Sequence, residues 1–169
     1  MAFFDRLRRL LPGRAAGTVG PGGTALGGTA AFARGTRALE RGRLADAEPA
    51  FEEALRVAAT AAQVAAVRNK RAILAIRRLD LERAVDELIL ALEADPRSAA
   101  AITTIGNLLL EGGAVEDAIA HYEYALLADD AYAPAYHNLG VALHRSGRRG
   151  EAVRMLRKAT RLESRMKRR

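Results

Sequence analysis

Three histidines (His121, His137, His144), three serines (Ser98, Ser146, Ser164) and the adjacent carboxylates Glu52-Glu53 and Asp129-Asp130 are the side chains of this 169-residue chain whose types could carry chemistry. A serine nucleophile needs a base to take its proton, and these serines, all near turns or the basic C-terminus, lack a plausible one. His137 and His144 share one helical face but lie two turns, about 10 Å, apart, too far for that pair alone to hold a metal. Neighbouring carboxylates of this kind fit solvated helix or turn residues better than an acid/base pair. The absence of cysteine excludes a thiol nucleophile, an iron–sulfur cluster, a cysteine zinc site and a disulfide framework. Gly20-Pro21-Gly22-Gly23 has no strand before it and no Gly-Lys-Ser/Thr after it, which leaves it a spacer and not a phosphate loop. The expectation is a non-enzymatic protein with no cofactor and no metal, whose work is binding.

The elements that would carry a binding surface are helical. Alanine accounts for 37 residues and aromatics for only 8, a mix that suits closely packed helices and not a sheet. Apolar residues recur at helical spacing from about residue 29. Short breaks fall at Arg41-Gly42-Arg43, Asp95-Pro96, Glu111-Gly112-Gly113 and Ser146-Gly147-Arg148. Helices are therefore predicted over 29–41, 44–58, 61–78, 80–94, 98–111, 114–128, 132–146 and 148–165. The second helix of each pair repeats one pattern: Ala47-x3-Phe51-x2-Ala54, Ala84-x3-Leu88-x2-Ala91, Ala118-x3-Tyr122-x2-Ala125 and Ala152-x3-Leu156-x2-Ala159, at offsets of 37, 34 and 34.

This pattern resembles the tetratricopeptide repeat family. The fourth unit reads Tyr136-x2-Leu139-Gly140-x2-Leu143, then Gly147, Ala152, Leu156 and Ala159; the third reads Ile102-x2-Ile105-Gly106-x2-Leu109, then Gly113, Ala118, Tyr122 and Ala125. The second unit has Pro96 at its close but places Arg68 and Arg71 where buried apolar residues are wanted, and the third has Asp130 at the closing proline position. Pro49 is expected in the first turn of its helix, where it breaks no internal bond. The resemblance implies an all-α fold, an α-solenoid of stacked antiparallel helix pairs with about four repeats over 29–162. It further implies a concave groove lined by the first helices, with a partner peptide or helix bound there. On that reading the groove residues are Phe32, Thr36, Asn69, Lys70, Ile73, Thr103, Asn107, His137, Asn138, Val141 and His144. All three asparagines of the chain are among them; a carboxamide is a poor helix-interior residue, so each is expected to bond to something, either a partner's backbone or a neighbouring helix.

Two flanking segments complete the layout. Residues 1–11 form a short amphipathic helix with Phe3, Phe4, Leu7, Leu10 and Leu11 on one stripe, to be covered by a membrane surface or by a groove of this chain or a second copy. Residues 12–28, rich in glycine and proline, read as a flexible linker, and 163–169 as a basic tail. Charge is uneven: Met1 to His144 carries −2 and Arg145 to Arg169 carries +9, while Ser98 to His144 holds six carboxylates and no Lys or Arg. Salt-sensitive self-association, and hence a homo-oligomer, follows as an expectation. No apolar run approaches the roughly 18 residues of a membrane span, and no secretory signal is visible, so the location read here is cytoplasmic or membrane-peripheral. The function expected is a protein–protein interaction scaffold or adaptor. Its alternatives are a membrane-peripheral assembly factor held by the N-terminal helix and, with nucleic acid an unlikely partner for want of aromatics in the basic segment, a nucleic-acid-associated protein.

Overall fold

The computed structural model describes residues 5–7, 9–10 and 30–168, and the predicted linker at 12–28 lies outside them. Beyond a helical turn at 5–7, the described residues form eight helices: α1 (Ala30–Glu40), α2 (Leu44–Arg56), α3 (Ala61–Arg77), α4 (Leu81–Ala94), α5 (Ala99–Glu111), α6 (Val115–Ala128), α7 (Ala133–Arg145) and α8 (Arg149–Met166). Each lies within two residues of its predicted span. α8 runs on through Met166, so most of the expected basic tail is the end of a helix.

The helices are started and stopped by local chemistry. Thr60 caps α3 with a capping box: its Oγ1 accepts the Gln63 N–H at 3.2 Å, and the Gln63 side chain accepts the Thr60 N–H at 3.3 Å. Asp80 caps α4 by accepting the Arg83 N–H at 3.1 Å. Gly113 and Gly147 turn their hairpins at φ of 82° and 84°, and the same register position between α3 and α4 is Leu79, at φ 62°. Asp95 and Asp129, also 34 residues apart, each accept the N–H two residues on at 3.0 Å, so Asp129 closes its repeat without the family's proline. Pro49 falls in the second turn of α2, not the first; the helix continues through it without the bond its missing N–H would have made.

The chain divides into two compact units. The first holds α1 to α4 and the start of α5 up to Ala101; the second holds the rest of α5, α6 to α8 and the described N-terminal residues. In the first unit Ala31, Ala38, Leu39, Ala47, Phe51, Ala54, Val67 and Leu74 form a core. Gly35 has no room for a side chain, since a Cβ there would lie 2.6 Å from the Phe51 ring. Arg68 and Arg71 of α3, the residues that broke the repeat pattern, converge on Glu87 of α4 at 3.0 and 2.8 Å. Glu87 is buried to 4% exposure, so two apolar positions have been replaced by arginines that share one buried carboxylate. In the second unit Gly106 faces the Tyr122 ring and Gly140 faces Leu156 in the same way, at 2.6 and 2.7 Å. Arg145 donates to the Leu110 carbonyl at 3.2 Å and satisfies the end of α5.

Candidate binding surface

In the second unit, the first-helix residues are held by a three-residue network. Asn107 Oδ1 accepts the Tyr122 hydroxyl and the Asn138 Nδ2 N–H, both at 2.8 Å, tying α5 to α6 and to α7. Tyr122 is fully buried, and burial pushes its phenol pKa upward, with Glu111 adding to the shift and Arg145 opposing it; the hydroxyl is therefore a proton donor at neutral pH. With Asn107 Oδ1 so occupied, the orientation of its carboxamide is fixed. Asn107 Nδ2 and Asn138 Oδ1 then make no hydrogen bond among the described residues. One donor and one acceptor group thus remain on two half-buried side chains that are joined to each other.

The other sequence-predicted residues of this unit separate by exposure. His137 and His144 are exposed, Val141 is half-buried, and Thr103 is buried at 3% with its hydroxyl unpaired among the described residues. In the first unit Phe32 and Ile73 are half-buried and pack on the core, Phe32 with its ring 6.3 Å from that of Phe51. Lys70 is half-buried and makes no ion pair among the described residues. Thr36 is half-buried with an unpaired hydroxyl, and Asn69 is buried at 5% with Oδ1 unpaired. Three buried polar groups of the predicted set thus lack partners among the described residues.

Leu7 is fully buried in the second unit and Leu10 is half-buried, while Phe3, Phe4 and Leu11 lie outside the described residues. The Leu7 backbone lies beside His121 of α6, a residue that periodicity did not mark. His121 Nδ1 sits 2.8 Å from the Asp117 carbonyl, its Nε2 has no partner of ordinary geometry, and it is 1% exposed. Burial lowers its pKa, against smaller upward contributions from the Asp117 carbonyl and charge and from the Leu7 backbone. Only the tertiary structure places Leu7 and His121 together; their sequence separation offers no signal.

Among the described residues no three metal-ligating side chains converge, and no helix is long and apolar enough to cross a membrane. Two family models match the chain, one described as TPR repeat over residues 106–147 and one as Tetratricopeptide repeat over 134–162. Among solved structures, the chain is similar to MamA, with 22% identity, coverage of 80% of this chain and 77% of that one, and a TM-score of 0.58. It is similar to PilF of Pseudomonas aeruginosa at 24% identity and TM-score 0.62, covering 76% of this chain and 57% of that one. YrrB, described as a TPR protein with an unusual peptide-binding site, shares 22% identity at TM-score 0.53, with coverage of 80% and 70%. At these identities the likeness is one of fold. No curated protein matches the chain.

Proposed function

Since this chain belongs to the tetratricopeptide repeat family, a fold that serves protein–protein interaction, we propose that it is a non-enzymatic cytoplasmic adaptor that binds a partner peptide or helix where the half-buried Asn107 of α5 meets Asn138 and the exposed residues of α7. The observation that carries this reading is the locked Asn107–Asn138 pair, which leaves an N–H donor and a carbonyl acceptor on two side chains joined to each other. An extended peptide backbone offers the complementary pair at each residue. His137, Val141 and His144 flank it with a mixed polar and apolar rim. The burial of Leu7 within the second unit supports a docked N-terminal segment over a membrane anchor.

The test is capture from native lysate with a photo-crosslinker at Val141, comparing the unaltered rim with His137→Glu and His144→Glu. Both histidines are exposed, so the fold is expected to survive. Loss of specific crosslinked bands in the variants is the expected result. An identical crosslinked set from all three proteins refutes the assignment of this face.

A further inference from the structure

The outer face of α8 differs from the faces that α4 and α6 present at the same register, where α2 carries the half-buried Glu48. Position 85 on α4 and position 119 on α6, one residue after the repeat alanine, are Val and Ile at 0% and 3% exposure; on α8 that position is Val153, at 47%. Within the second unit α7 packs against α6, and Ile119 is covered. Val153 therefore occupies a helix-receiving position that is open. It begins a shallow trough of about 950 Å³ lined by Val153, Leu156, Thr160 and Ser164 along one side and by Arg157, Arg161, Arg165 and Arg168 along the other. From Val153 to Arg168 the trough runs about 22 Å at 1.5 Å per residue, four helical turns.

The charge along it is one-sided. None of the four arginines makes an ion pair among the described residues, and Glu163, the one carboxylate in this stretch of α8, is not among the lining residues. The Thr160 and Ser164 hydroxyls donate to the Leu156 and Thr160 carbonyls at 3.1 and 2.8 Å, so that side of the trough is a low-polarity seam with no outward donor committed. No aromatic lines it, so bases would have nothing to stack on. A membrane surface would use apolar groups along the whole length, whereas here they are confined to the Val153 end.

We propose that this trough docks an acidic amphipathic helix of a partner protein, lying along α8 as a following repeat helix would. Its apolar stripe would cover Val153 and Leu156, and its carboxylates would meet the guanidiniums at positions 157, 161, 165 and 168, which recur at nearly every turn. This surface is separate from the α5–α7 face, so either assignment can fail without the other.

The experiment uses the full chain and a fluorescent four-turn helical peptide with a leucine stripe flanked by glutamates, titrated by anisotropy at about 0.15 M salt. Parallel probes are the same peptide with lysines for glutamates, a single-stranded oligothymidine and phosphatidylserine vesicles. Variants are Val153→Asp and Arg157→Glu with Arg161→Glu; these residues are exposed, and unchanged melting curves confirm the fold. The acidic peptide is expected to bind, the lysine peptide not, and each variant to weaken binding by about tenfold or more, a loss of about 1.4 kcal/mol. The proposal is overturned by the absence of acidic-peptide binding, or by binding indifferent to Val153→Asp. It is equally overturned if the oligonucleotide or the vesicles bind in its place, or if the chain self-associates through α8, which would give the trough to a second copy.

Discussion

Replacing Asn107 by alanine tests the network on which the α5–α7 surface depends. The substitution leaves the Tyr122 hydroxyl without its acceptor in a site where the ring is fully buried. An orphaned buried hydroxyl costs about 1 to 3 kcal/mol. Asn138, only half-buried, can turn its freed N–H to water, which limits the second loss to about 0.5 to 1 kcal/mol. Alanine recovers about 0.5 kcal/mol through its better helix propensity. The net expectation is a destabilisation near 2 kcal/mol, read by urea unfolding followed by circular dichroism. The sharper measurement is a cycle with Tyr122→Phe, which removes the donor and keeps the ring against Gly106. In that background Asn107→Ala should cost about 1 to 3 kcal/mol less, because no hydroxyl remains to be orphaned. Strictly additive effects, or an Asn107→Ala protein as stable as its parent, would refute the network as the element that fixes the carboxamide.

Leu79, at φ 62° and 86% exposed, bears a left-handed conformation for no packing return; Leu79→Gly should raise stability by about 0.5 kcal/mol, the relief of about 1 to 2 kcal/mol less glycine's greater chain entropy, and an unchanged or lower urea midpoint would count against it. Gly106→Ala places a Cβ 2.6 Å from the Tyr122 ring and should cost about 1 to 3 kcal/mol by overpacking, checked in the same assay. His121 has its folded pKa lowered by burial, so the unfolded chain binds the extra proton first. Stability should be complete above the unfolded value of 6.5 and fall as pH drops below it, a trend that melting curves should show and that His121→Asn should flatten. Leu7→Asp should undock the N-terminal stretch, and faster tryptic cleavage after Arg9 in the variant, with no gain in binding to anionic vesicles, is the expected pattern.

The 34-residue recurrence of Ala84, Ala118 and Ala152 determines the helical hairpins, because small residues at that spacing let backbones approach and the following Leu or aromatic fills the gap beside them. Helix ends follow from local chemistry as well: the breaks at Gly42, Gly113, Gly147 and Asp95-Pro96 are legible in the sequence, whereas the caps at Thr60 and Asp80 and the turn at Asp129 emerge only from the folded backbone. Long-range pairing is not legible in the sequence. That Arg68 and Arg71 would serve Glu87 depends on which face of α4 meets α3, and a pattern that prices each residue alone reads them as errors. Asparagine within a helix needs a hydrogen-bond partner, yet only the packed structure decides that two of the three bond to each other, since Asn107 and Asn138 stand 31 residues apart and become neighbours through the stacking of α7 on the preceding hairpin. The N-terminal stripe announced that something must cover it; which surface takes Leu7 is a question of shape and burial between segments more than 100 residues apart, and one-dimensional periodicity carries no term for that.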